Sequence, residues 1–142
     1  MVRRRARGMT FIGVMLLLAL GAGIYWIVTF GGAHLDDHEL KTILRQAGNI
    51  AYSEHNDQNV RDWILKRTDE LFGYDTEEFG QRRRKLRIEF QPDELVLERS
   101  KVPPEIRIKL NYSRTVKLPL IGGERQMYFA LDVTQDLSPI KY

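Results

Sequence analysis

The sequence predicts an α+β fold: an N-terminal transmembrane helix, then two short helices packed on a four-stranded antiparallel sheet. Three observations predict it. Gly8 to Ala33 is a run of 26 residues without a charge. The stretch after it carries apolar residues at helical spacing. From Lys85 onward the apolar period changes to two, the period of a half-buried strand.

The uncharged run sets the organisation. A bilayer core of roughly 30 Å takes about 20 apolar residues in a helix, so the run is long enough to span. Arg3, Arg4, Arg5 and Arg7 precede it, and Asp36, Asp37 and Glu39 follow it. Lys and Arg favour the cytoplasmic side. The expected arrangement is a basic cytoplasmic leader over residues 1–8, a transmembrane helix over 9–33, and an extracytoplasmic α+β domain over 34–142. Tyr25, Trp26 and Phe30 read as an aromatic belt at the outer interface. Ala19 and Gly23, four apart with Gly21 nearby, are small residues at a spacing that lets two membrane helices approach closely. Small residues are also common in membrane helices without such a role.

Composition narrows the function classes. The chain has 142 residues, 22 Lys and Arg, 19 Asp and Glu, and no cysteine. With the four leader arginines set aside, the outer domain is near neutral, so the basic balance of the whole chain does not argue for nucleic acid. Without cysteine there is no disulfide framework, no thiolate nucleophile and no Cys-ligated zinc.

Residues 1–33 admit three readings. One is an uncleaved signal anchor. A second is a secretory signal cleaved at Gly31-Gly32-Ala33, although signal cores run only about 7–15 residues. The third comes from Arg5-Ala6-Arg7-Gly8-Met9-Thr10-Phe11-Ile12-Gly13-Val14, which resembles the leader of type IV prepilins and pseudopilins. The resemblance implies cleavage after Gly8, a methylated N-terminus at Met9, and assembly through the apolar helix. The sequence departs from that family at Gly13, where a Glu is usual; some minor pseudopilins also lack it. An ammonium in a membrane needs a partner charge, so the departure weakens assembly as a major filament subunit. The Gly31-Gly32 pair, read as a swivel that ends the anchor, counts against one continuous pilin helix.

A second resemblance covers more of the chain. The start R-G-M-T-F-I-G-V-M-L-L-L, two short helices, and a strand ending Tyr112-Ser113-Arg114-Thr115-Val116-Lys117-Leu118-Pro119-Leu120-Ile121-Gly122 are similar to a group of proteobacterial single-pass proteins. Those carry a small extracytoplasmic domain of unknown function. This resemblance implies an anchored envelope protein and brings no activity with it.

The outer domain reads in order as follows. Asp36 caps a helix from about Asp37 to Ser53, with Leu40, Ile43, Leu44, Ala47 and Ala51 on one face. Asn56 or Asp57 caps a second helix with an apolar stripe of Val60, Trp63, Ile64 and Leu71, stopped at Gly73. Tyr74 to Gly80 reads as an acidic loop. Leu86, Ile88 and Phe90 alternate in a first strand, and Leu95 to Arg99 is the returning strand. A stiff Pro103-Pro104 connection follows. Ile106, Ile108, Leu110 and Tyr112 share one strand face, which Val116, Leu118 and Leu120 continue, with Arg114 as the break. Gly122-Gly123 makes a hairpin turn. Met127, Phe129, Leu131 and Val133 form the buried face of the last strand.

Candidate chemistry is thin. His34 and His38 are four apart, a spacing that suits two imidazoles on one metal when both lie on a helix; beside the membrane exit they read as a polar collar. The sequence has no G-x-S-x-G, P-loop or H-E-x-x-H. Asp69-Glu70 and Glu77-Glu78 are paired acids of a kind common on solvated surfaces. Arg82-Arg83-Arg84-Lys85 reads as an exposed basic edge at the start of the sheet that discourages edge pairing, or, if the helices fold back toward the bilayer, as a run that touches anionic head groups. The function expected from these residues is non-enzymatic: a structural or partner-docking module of the bacterial envelope, held in the inner membrane with its domain in the periplasm. Its expected partners are membrane lipid and other membrane or envelope proteins, including self. No cofactor, metal, nucleic acid or small-molecule substrate is expected. The alternative is a pilin-like or minor pseudopilin subunit processed after Gly8.

Overall fold

A computed structural model describes the backbone of residues 6–139 and the side chains of residues 10–139. The topology residues Arg3, Arg4 and Arg5 lie outside the described residues, as do the side chains of Arg7 and Met9.

The first element, α1, is a single α-helix, Ala6–Ser53, of 48 residues, about 72 Å long at 1.5 Å per residue. The expected swivel at Gly31-Gly32 and the separate short helix after it are therefore corrected: the helix runs through both glycines. Glycine costs a helix about 1 kcal/mol against alanine. Here that cost is offset by packing. Ala33 and Asp36 are buried, and the Arg114 side chain lies over Gly32 and donates to its carbonyl at 2.7 Å.

The two ends of α1 have different surroundings. Phe11, Ile12, Leu16, Leu17, Leu18 and Leu20 are each at least 60% exposed. This stretch is the one helical segment among the described residues long and apolar enough to cross a membrane. From Thr29 onward one face of α1 is buried. Leu40, Ile43, Leu44, Ala47 and Ala51 lie in the core, the face that the i, i+3, i+4 spacing predicts.

Helix α2, Asp57–Phe72, starts after an Asn56 cap whose side chain accepts from the Gln58 amide at 3.0 Å. Its buried row is Val60, Ile64, Thr68 and Phe72, a strict four-residue spacing. Leu71, expected in the stripe, is 40% exposed, and Trp63 packs at the edge of the core.

The strands form two antiparallel sheets, which corrects the expected single four-stranded sheet. β1 (Gly73–Glu78) and β2 (Gln81–Leu86) make a separate hairpin. β3 (Leu95–Lys101), β4 (Pro104–Lys117) and β5 (Glu124–Asp136) form a three-stranded sheet with β4 in the middle. The residues expected as the first strand of that sheet supply one bridge, Glu89 to Ser113. The run Gln81–Leu86 pairs instead with the preceding acidic segment, read from sequence as a loop. Phe79 (φ 53°) and Gly80 (φ 76°) close that hairpin, with both residues in the left-handed region that a two-residue I′ turn requires.

The inner face of the sheet packs on α1 and α2. Leu95, Ile106, Ile108, Leu110, Tyr112, Leu131 and Val133 meet the helix residues in one core. The outer face is polar and carries diagonal ion pairs, Arg107 with Asp132 and Lys109 with Glu98. β5, 13 residues long, pairs on one side only.

Candidate functional site

The site is the junction where the exposed half of α1 joins the head. Along β4 the even-numbered residues point inward, and that parity carries Arg114 toward α1 as well. Its guanidinium donates to the Gly32 carbonyl and to the Asp36 carboxylate. Asp36 is 6% exposed. Arg87 approaches the other Asp36 oxygen at 3.9 Å, donates to the Leu71 carbonyl at 3.1 Å, and lies over the Phe72 ring. One buried carboxylate thus ties α1 to β4 and to the end of α2. A charge this far from water requires such partners. Asp36, expected as a helix cap, is instead the acid of a buried pair, because the helix does not begin there.

Next to this pair, Tyr112 donates from its hydroxyl to Asp37 at 2.7 Å. Burial, then the hydrogen bond to Asp37, pushes the Tyr112 phenol well above its ordinary range, so it stays protonated as a donor. Its ring stacks on Phe129 at 5.1 Å. Phe129 meets His34 edge-on, and His34 stacks on Trp26 at 5.9 Å, which also contacts Phe30. This ladder of rings runs from the apolar half of α1 into the head. Trp26, Phe30 and His34 share an open hollow of about 620 Å³ with Arg125, Gln126, Met127 and Tyr128.

The remaining sequence candidates fall elsewhere. Tyr25 is half-buried, with its hydroxyl lacking a hydrogen-bond partner among the described residues. Ala19 is exposed and nothing lies within 4 Å of a Cβ placed on Gly23, so this face has no neighbour among the described residues. His34 belongs to the ring ladder. The described residues hold no cluster of three His, Asp or Glu suited to a metal. The paired acids are engaged by cations: Asp69 with Arg84, Glu70 with Arg67, Glu77 with Arg82, and Glu78 with Lys85. The basic run is thus not a bare edge but the cationic strand of a charge-paired hairpin.

Sequence reasoning missed Arg114 and Tyr112 as site residues. The signal was present: an arginine at an inward position of an otherwise apolar strand face needs a buried anion. The chain matches no family model, no curated protein and no solved structure.

Proposed function

We propose that the protein is a single-pass inner-membrane protein whose periplasmic head serves as a non-enzymatic structural or docking module of an envelope complex. One observation carries this reading. An apolar helical segment with no buried residues continues without a break into a segment that forms the core of the head. A helix apolar on all sides needs an apolar medium around it. The basic leader before the segment supports an inside N-terminus. The Arg114–Asp36 pair supports a head mounted rigidly on its anchor. The long single-sided strand β5 offers a backbone edge to which a partner strand can add.

The test is photocrosslinking in native membranes from residues substituted along β5, such as Tyr128 and Thr134. Discrete adducts with membrane or envelope proteins are expected. A membrane-held protein that gives none from any β5 position overturns the docking reading.

The continuity of α1 favours a second reading, a pilin-like or minor pseudopilin subunit processed after Gly8. The helix runs unbroken through Gly31-Gly32, as that reading requires, while Gly13 counts against it. Mass analysis of the native chain separates the two: a methylated Met9 terminus supports the subunit reading, and retention of Arg3 to Arg7 removes it.

A further inference from the structure

The β4–β5 hairpin tip spans Leu118 to Gly123 and carries no charge. It is closed by the Leu118 amide donating to the Gly123 carbonyl at 3.0 Å and the Gly122 amide to the Leu118 carbonyl at 2.9 Å. Gly122 (φ 77°) and Gly123 (φ 90°) supply the left-handed backbone that the turn needs. The apex displays Leu120 at 82% exposure and Ile121 at 78%. Two large aliphatic side chains held this far into solvent are unusual unless something covers them.

The position of the tip says what covers it. Gly48 of α1 faces Gln135 of β5, and His34 faces Phe129. The helix stretch between those contacts is about 21 Å long and the strand stretch about 20 Å. β5 therefore runs parallel to α1 at nearly equal pace, so going back along β5 toward its start goes back along α1 toward its apolar half. Further along, Arg125, Gln126 and Met127 share a hollow with Trp26 and Phe30. The apex lies beyond Arg125 in the same direction, roughly 10 Å further at strand spacing. That direction leads along the exposed apolar half of α1. Lys117 on β4 and Glu124 followed by Arg125 on β5 flank the tip, and the two cations are of the kind that meets lipid phosphates.

We propose that this tip is a second membrane contact: Leu120 and Ile121 insert into the outer interface of the same bilayer that α1 crosses. The proposal rests on the membrane reading above. Two contacts, the helix and the hairpin, fix the rotation of the head about the helix axis. That fixes which sheet edge faces outward.

The chain lacks cysteine, so single-cysteine variants of the full chain report directly. Leu17→Cys marks the apolar segment and Ile121→Cys the tip. Val102→Cys marks an equally bare aliphatic, 90% exposed, in the turn at the opposite end of the sheet. Leu120→Cys serves as a second tip position. Each is labelled with an environment-sensitive nitrobenzoxadiazole probe and reconstituted in phosphatidylethanolamine–phosphatidylglycerol vesicles. The tip probe is expected to emit to the blue of the Val102 probe. It should be quenched more by a shallow spin-labelled lipid than by a deep one, and several-fold less by aqueous iodide. If both tip probes match the Val102 probe while the Leu17 probe is in lipid, the tip proposal alone is overturned. If the Leu17 probe is itself in water, the membrane reading fails and takes the proposal with it. Protection from iodide without quenching by either lipid places protein, not bilayer, over the tip and also overturns it.

Discussion

Arg114 and Asp36, separated by 78 positions in sequence, meet as a hydrogen-bonded ion pair at the point where α1 enters the head. Each is largely buried, with side-chain exposures of 19% and 8%. The pair fastens a 48-residue helix to the central strand of the sheet, so any tilt of its exposed apolar segment is passed to the head. Removing one partner strands the other charge. Asp36→Ala is expected to lower the stability of the full chain in detergent micelles by about 3 kcal/mol, read from its denaturation midpoint. Adding Arg114→Met should recover a large part of that loss.

The Tyr112 hydroxyl bonded to Asp37 has two consequences. Tyr112→Phe should cost about 1–2 kcal/mol, as expected for a buried hydrogen bond to a charged acceptor. The folded phenol lies above the ordinary value of 10.0. Its contribution is therefore complete below pH 10 and declines as pH rises beyond it. Thermal unfolding followed from pH 8 to 11 should show a fall above pH 10 that Tyr112→Phe reduces.

On the outer sheet face the sign is opposite. The Arg107 hydrogen bond holds Asp132 below the ordinary 3.8 of an aspartate. That contribution is complete above the unfolded value and is lost as pH falls through the folded one. The pair is exposed and salt-screened, so the effect is small. A chemical-shift titration of Asp132 should give a midpoint below 3.8 that rises in Arg107→Gln.

Two glycines of one helix should respond to alanine with opposite signs. A Cβ at Gly31 meets only Ile27, at 3.7 Å, whereas at Gly48 it falls 2.8 Å from the Gln135 Cβ. Gly31→Ala should gain up to about 1 kcal/mol from helix propensity. Gly48→Ala should lose stability, because β5 must move. Melting temperatures of the two variants in the same detergent check this.

Thr68 is 1% exposed and its hydroxyl has no hydrogen-bond partner among the described residues. Thr68→Val keeps the shape and removes an unpaired polar atom. It should raise stability by about 1 kcal/mol, read from the denaturation midpoint.

What the sequence disclosed follows from where periodicity is strong. The apolar faces of α1 and β5 and the Gly122-Gly123 turn were legible, because burial on one side writes a period into the residues. The β1–β2 hairpin was not. None of its strand residues is buried and most are exposed, and cross-strand charge pairs such as Lys85 with Glu78 leave no apolar rhythm. The course of α1 through Gly31 and Gly32 was hidden for another reason. Local propensity favours a break there, and the contact that overrides it comes from Arg114, far along the chain. That same arginine read as an interruption of the β4 pattern, when it is the residue that completes the junction.

The central claim is that one helix crosses the bilayer and holds the head on the far side from the leader. Labelling of single-cysteine variants with a membrane-impermeant maleimide in intact spheroplasts tests it most directly. Val102→Cys is expected to react without permeabilisation and Val2→Cys only after it. Reaction of Val102→Cys only after lysis, or recovery of the full-length protein in the soluble fraction, contradicts the claim.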